Sequence, residues 1–360
     1  MNIQRVMTEK VYGFGIVGTG LIADFHAKAI AEIPNAKLIG AYNRNKEKAS
    51  AFAAKFDCAA YDSLESLVSD SAIDVICICT ASGAHLEGGL AAIAAGKHCL
   101  IEKPLEITVA RCSELIKAAQ SKGVHLGVIF PSRFQEVNQK IKDAVTSQRM
   151  GSPVIGNAYV KWNRSEAYYQ SAAWRGTWAL DGGGALMNQG IHSVDLLQWF
   201  MGPVASVHAF AANRRHKEIE VEDTVVAILT FESGALGTIE CSTATHPGSF
   251  KRLEVIGTGG TAIVEENDLL TWQFSEETNE DTLIRDAHGG KQISKGGVAD
   301  PAAISFLGHQ RQIEDFLSAI EKGDEPTVDG LEGLKSVQII EAIYESVRTG
   351  KTVSLNHEAI

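Results

Sequence analysis

The sequence predicts an α/β fold in two parts, and three observations carry that reading. From Val11 to roughly Phe130, short apolar runs alternate with alanine-rich patterns of helical spacing. A glycine fingerprint stands between the first apolar run and the first helical pattern. After Ser132, strand-like runs follow one another with few helices between them. The expectation is a doubly wound parallel sheet of Rossmann type over residues 1–131, which binds a dinucleotide. Residues 132–360 then form an α+β domain with a largely antiparallel open sheet, serving substrate binding and oligomerisation, and its last helices are free to pack back on the first domain.

In the first part the expected strands are Tyr12 to Val17, Ala36 to Tyr42, Val75 to Cys79, His98 to Glu102 and His125 to Ile129. Helical patterns fill Ile22 to Ile33, Lys46 to Phe56, Leu86 to Ala95 and Val109 to Ser121. In the second part strands are expected at Ile155 to Trp162, Val204 to Ala212, Asp223 to Phe231, Ala235 to Ser242, Lys251 to Gly257 and Thr261 to Glu265. One helix, Met187 to Met201, interrupts them, and two more close the chain at Phe306 to Glu321 and Leu331 to Arg348. Glu276 to Asp300 is polar and aperiodic, which reads as a long surface loop.

The first strand runs directly into Gly18-Thr19-Gly20-Leu21-Ile22-Ala23, a G-x-G-x-x-A turn opening a helix. There Gly18 makes the tight turn, Gly20 lets the backbone approach a pyrophosphate, and Ala23 allows close helix packing. About twenty residues on, where an acidic residue normally holds the ribose of NAD, stand Asn43 and Arg44. An amide can bond a ribose hydroxyl, and Arg44 either pairs with the extra phosphate of NADP or faces solvent. NAD is therefore the expected cofactor, with NADP left open. Thr80 and His85 beyond the third predicted strand, and Glu102 with Lys103 at the end of the fourth, complete the cofactor-binding candidates.

Ligands sit at the carboxyl ends of strands in an open sheet, and Glu102-Lys103-Pro104 lies at such an end. A lysine there either hydrogen-bonds a substrate hydroxyl and helps move its proton, or is a solvated surface charge. In the second part three glycines, Gly182 to Gly184, precede a helix on which Asn188, His192 and Asp195 recur at i, i+4 and i+7. Such a polar stripe on an otherwise apolar helix points inward or into a cleft, where His192 is either a general base or a satisfied core residue. Trp174 and Trp178 read as packing residues.

The formal net charge of -11 argues against a protein that neutralises phosphates along nucleic acid or an anionic membrane. The six cysteines form no CxxC pair or His-Cys cluster, as expected of reduced thiols without a metal site or disulfide framework. Without a signal-peptide pattern or a run of about 20 apolar residues, a cytoplasmic location is expected.

Together the GTGLIA turn, the EKPL segment and the GGG-x3-NQ-x2-H-x2-DLL segment resemble the Gfo/Idh/MocA oxidoreductases over essentially the whole chain. The resemblance implies that Lys103 is a substrate-contacting catalytic lysine and His192 the general acid or base. Many members have aspartate where this chain has Asn188, and an amide cannot titrate. Tyr168-Tyr169, Trp174 to Trp178, Met187-Asn188-Gln189 and Glu220 to Thr224 are similar to UDP-N-acetylglucosaminuronate 3-dehydrogenases. Arg133, Tyr168, Arg175 and Asn188 are either ring or carboxylate contacts, arginine being suited to a carboxylate by its fork of donors, or plain structural residues. The alternatives are an inositol or free-sugar dehydrogenase, a keto-sugar reductase, or a regulator that binds dinucleotide and sugar without turnover. An open sheet face implies a homo-oligomer, dimer or tetramer, formed through the second domain.

Overall fold

The computed structural model describes residues 10–290 and 305–355. Strand β1 (Tyr12–Val17) is buried along its whole length, as a parallel strand covered by helices on both faces must be. The chain then passes through α1 (Leu21–Ala31), β2 (Ala36–Tyr42), α2 (Lys46–Phe56), β3 (Ala59–Tyr61), α3 (Leu64–Val68) and β4 (Val75–Ile78). It continues through α4 (His85–Ala94), β5 (His98–Ile101), α5 (Val109–Lys122) and β6 (Leu126–Val128). These strands form one parallel six-stranded sheet in the order β3-β2-β1-β4-β5-β6. The order reverses between β1 and β4, which opens a crevice outside their carboxyl ends. The sequence reading missed β3 and α3, which are too short to show a period, so its fourth strand is β5.

Beyond the short helical turn Pro131–Phe134 come α6 (Glu136–Thr146), β7 (Pro153–Lys161) and α7 (Glu166–Gln170). The predicted helix Met187 to Met201 is two pieces, a π-helical turn Ala185–Gly190 followed by α8 (Ile191–Met201). The wider π turn changes the helical phase, so Asn188 does not continue the face set by His192 and Asp195. Such turns concentrate at functional sites. Gly184 opens it because the chain passes so close to Glu222 that a Cβ would lie 1.7 Å from its carbonyl oxygen.

Strands β8 (Val204–Ala212), β9 (Thr224–Phe231), β10 (Leu236–Ser242), β11 (Arg252–Gly257), β12 (Gly260–Glu265) and β13 (Asp268–Phe274) follow. Then come α9 (Asn279–His288), α10 (Leu307–Lys322), α11 (Gly330–Thr349) and β14 (Val353–Ser354). The second sheet has eight strands, β13-β12-β11-β7-β10-β9-β8-β14, antiparallel except for the pair β7 and β10. Helices α8, α9 and α11 pack on this sheet, and Phe210, Val226, Ile228 and Leu236 on its strands stay exposed. Helix α9 corrects the loop expected from Glu276. Its capping box at Thr278 and the Arg149 contact to Asp281 anchor it through polar groups that a hydrophobic period cannot register. The remainder of that predicted loop, from 291, lies outside the described residues.

The closing helices return to the first sheet, where Ile313, Phe316 and Leu317 of α10 share a core with Phe14, Ile16 and Leu100. Two sequence-distant units are also locked by Arg133, whose Nε and Nη2 donate to the Asp195 carboxylate at 2.9 and 2.7 Å. Its Nη1 reaches Glu332 of α11 at 2.9 Å. Arg133 and Asp195 are 1% and 0% exposed. Removing one partner strands the other charge in a dry environment, so Arg133→Met should lower unfolding free energy by about 3–5 kcal/mol, read from urea denaturation.

Candidate active site

Three loops meet at the carboxyl edge of the parallel sheet. The first follows β1, where Gly18 adopts φ +91 and a Cβ would come within 2.7 Å of the Cys79 carbonyl oxygen. At Gly20 a Cβ would meet no protein atom within 4 Å, and α1 starts without a side-chain cap. Its first amides and its dipole therefore face open space, a cradle suited to a pyrophosphate. Ala23 is buried under the helix, Ile22 is half-buried and Leu21 is exposed. At the end of β2, Asn43 donates from Nδ2 to the Thr19 hydroxyl at 2.9 Å, and its Oδ1 accepts the Asn45 amide. Asn43 thus ties the second strand to the glycine turn, while Arg44 is exposed beside it.

After β4, the half-buried Thr80 donates its hydroxyl to the Ala84 carbonyl. His85 is buried, with Nδ1 2.8 Å from the Pro104 carbonyl oxygen and Nε2 3.3 Å from that of Thr80. Its ring clasps the loop of β4 to that of β5 and offers no nitrogen to a cofactor. Glu102 after β5 is also withdrawn. Its Oε1 lies 2.8 Å from His26 Nε2 and 3.6 Å from His309 Nε2. Burial would raise its carboxyl, but bonds to His26 and His309 hold it well below the ordinary range.

The Lys103–Pro104 bond is cis, and Lys103 Nζ crosses to the second domain, donating to the Asn188 carbonyl oxygen at 2.8 Å. Burial pulls Lys103 below the usual lysine value. His192, half-buried on the first turn of α8, stacks edge-on with Phe130 at 5.9 Å. Its Nδ1 is buried and finds no partner among the described residues. Burial holds His192 well below the ordinary histidine value, and the charges of Lys103 and Lys251 push it further the same way. A neutral imidazole beside a lysine can accept a proton while the lysine steadies the oxygen left behind.

Asp195 points to Arg133 and does not touch His192, so no carboxylate on α8 serves the imidazole. Arg133 itself is buried behind the helix, which corrects its expected place in a substrate pocket. The other candidates do converge. Arg175 Nη1 donates to Tyr168 OH at 2.6 Å, and Gln189 Nε2 donates to the same oxygen at 2.9 Å and to Asn188 Oδ1 at 3.1 Å. Asn188 Nδ2 donates to Asp181 at 2.5 Å. Neither Gln189 nor Asp181 was singled out from sequence, because residue type alone gives no sign of the network they join. Arg175 lies over the rings of Tyr168 and Trp174 at 4.2 and 4.6 Å. Trp174 thus supports the guanidinium, while Trp178 is 45% exposed against Tyr344. Two cavities of about 590 and 500 Å³ lie away from Lys103, one bounded by Trp178, Glu220 and Tyr344, the other by Met150, Phe200 and Met201. The site is assigned by its converging polar groups at the strand ends, where chemistry in an open sheet is placed.

The model of the oxidoreductase family with an NAD-binding Rossmann fold matches residues 12–130, and the GFO/IDH/MocA C-terminal domain matches residues 138–263. The chain belongs to the Gfo/Idh/MocA family of oxidoreductases. Two structures of family relatives are 32% identical and superpose on 98% of this chain. One is the WlbA dehydrogenase of Bordetella pertussis in complex with NADH and UDP-GlcNAcA, with a TM-score of 0.89 and all of its chain covered. The other is the WlbA dehydrogenase of Chromobacterium violaceum with the same ligands, with a TM-score of 0.88 and 98% covered. The myo-inositol 2-dehydrogenase of Thermotoga maritima is 26% identical over 95% of this chain and 98% of its own. No helix among the described residues of this family member is long and apolar enough to cross a membrane.

Because the space at Gly20 is open to the ligand and closed to nothing else, Gly20→Val should fold normally and lose protection by NAD in a thermal-shift titration. Retained protection would show that the pyrophosphate does not cross this turn.

Proposed function

We propose that the protein oxidises a secondary hydroxyl of an anionic sugar, with a UDP-N-acetylglucosaminuronate as its substrate and Lys103 and His192 as its catalytic pair. The observation that carries this reading is the cationic wall of the cleft. Arg175, half-buried, stands beside Lys103 in a chain of net charge -11, and no carboxylate lies within ion-pair distance of it among the described residues. An arginine fork left without a carboxylate suits a sugar carboxylate or phosphate. The two WlbA relatives, whose crystals hold UDP-GlcNAcA, support the same class.

Bound NAD supplies the hydride acceptor. The chain's own residues do the rest: Lys103 donates a hydrogen bond to the reacting hydroxyl, and neutral His192 takes its proton. Lys103 then faces the developing oxyanion, while Asn188, Gln189 and Tyr168 orient the ring. The glycine turn and α1 hold the dinucleotide so that its reactive ring reaches the same cleft. Which hydroxyl reacts follows from how the anionic group seats on Arg175.

Turnover of UDP-N-acetylglucosaminuronate with NAD, compared with inositol, free hexoses and keto-sugars, decides the substrate. Preference for a neutral polyol would overturn the anionic reading. With the best substrate, Lys103→Ala and His192→Ala should each lower kcat by roughly 10²–10⁴-fold, with KM changed far less. The double variant should be little worse than the poorer single one, and a His192→Ala enzyme of wild-type kcat would remove His192 from the chemistry.

The uncovered face of the second sheet belongs to the same reading. Phe210, Ile228, Leu236 and Val226 are 70%, 58%, 56% and 47% exposed, and Phe210 pairs directly with Val226. A contiguous apolar face of this kind is covered by a second copy of the chain in a symmetric assembly. Light scattering should give an oligomer for the wild type and a smaller species for Ile228→Asp, whereas a monomeric wild type would refute the assembly.

A further inference from the structure

We propose that Asp181 is the carboxylate that positions the reacting groups of this site, holding Asn188 through its side chain and Lys103 through its charge. Asp181 is 2% exposed and follows α7 on the segment leading to the π-helical turn. Its Oδ1 accepts the Asn188 side-chain amide at 2.5 Å, and its Oδ2 accepts the Gly176 amide at 2.8 Å. No cation stands within ion-pair distance of it among the described residues, so these two bonds compensate its burial only in part. Burial pushes its carboxyl up, and the charges of Arg175 and Lys103, at longer range than these bonds, pull it the other way.

The geometry makes one chain of contacts. Asp181 grips the side chain of Asn188, and the backbone carbonyl of the same Asn188 receives Lys103 Nζ at 2.8 Å. The bond to Asp181 also fixes which way the amide points, with Oδ1 turned to Gln189. The charged and titratable groups around Lys103 are Glu102, Asp181, Arg175 and His192. Glu102, beside Lys103 in sequence and held by His26 and His309, is the stronger negative charge acting on the lysine, and Asp181 is the carboxylate that acts on it from the second domain. The carboxylate stands seven residues before Asn188 in sequence and one hydrogen bond away from it in space.

The inference rests on the reading that Lys103 is catalytic, but its test does not need turnover. In the full-length protein, the rate of trace acylation of Lys103 by acetic anhydride across pH, read by peptide mass spectrometry, gives the lysine's titration midpoint. Asp181→Asn keeps the shape and removes the charge, so the midpoint should fall by about one pH unit. Exposed Lys48 should titrate unchanged in the same samples. Combining Asp181→Asn with Asn188→Asp returns a carboxylate across the same hydrogen bond, and should bring the midpoint back toward the wild-type value. A merely structural Asp181 would lower thermal stability without moving Lys103. An unmoved midpoint in a folded Asp181→Asn protein therefore overturns the proposal. Should that variant not fold, a swap variant whose Lys103 titrates well below wild type would overturn it equally. With any substrate the wild type turns over, Asp181→Asn should lower kcat more than it changes KM and move the alkaline limb of the rate profile to lower pH. Absence of turnover across the substrate panel would count against the proposed reaction, while the acylation midpoints still decide the role of Asp181.

Discussion

The buried pair of Arg133 and Asp195 governs how the two halves of the site face one another. Arg133 lies on the turn that leaves the parallel sheet, and Asp195 lies on α8 one turn beyond His192. A fully buried ion pair gains little net stability over apolar side chains of the same shape, because desolvation offsets most of the Coulomb attraction. Its contribution here is directional. Two parallel hydrogen bonds from a planar guanidinium allow only one rotation of α8 about its axis, and Glu332 holds the same guanidinium from α11. With Asp195 fixed toward the first domain, His192 is carried to the end of β5, where Lys103 emerges.

From that constraint follows the division of polar groups into those that hold backbone and those left for chemistry. Glu222 accepts the amides of Gly184 and Leu186 and the hydroxyl of Tyr344, pinning the π-helical turn. Burial pushes its carboxyl up to about 7 against the pull of those donors. His85 and Glu102 do similar service on the loops of the parallel sheet. What these anchors leave in the cleft is a lysine, an imidazole without a partner on Nδ1, an amide and an arginine. Burial first, and then the positive charge of Lys103, keep the His192 imidazole neutral and therefore able to take a proton.

The architecture was legible because buried parallel strands must be apolar throughout and helices between them must repeat at 3.6 residues. Strand and helix bounds such as Tyr12–Val17 and Lys46–Phe56 followed directly. Short elements such as β3 and α3 carry too few residues to show a period, and α9 was hidden because a buried carboxylate, not an apolar stripe, secures it. Site residues were legible where position alone exposes a side chain, as for Lys103 at a strand end. They were illegible where a neighbour distant in sequence decides the outcome. Arg133 is an arginine in the right region, and only the carboxylates of buried Asp195 and half-buried Glu332 beside it make it part of the frame. Asp181 carried no signal for the converse reason: its partners are Asn188, and at longer range Lys103, and neither spacing marks a pair.

The same contrast bears on substrate class, because the two arginines have opposite surroundings. Arg133 is neutralised by two carboxylates, so nothing remains for a ligand to compensate. Arg175 has aromatic faces and a phenol around it, which orient a guanidinium without cancelling its charge. Asp181 is the nearby carboxylate, and its charge is shared with Lys103. Closing this cleft over a neutral sugar would leave the Arg175 guanidinium without an ion-pair partner in a medium where unbalanced charge is costly. Closing it over an anionic sugar supplies one. The discrimination proposed for this protein therefore lies less in contacts to ring hydroxyls, which many sugars can satisfy, than in the charge that the cleft leaves open.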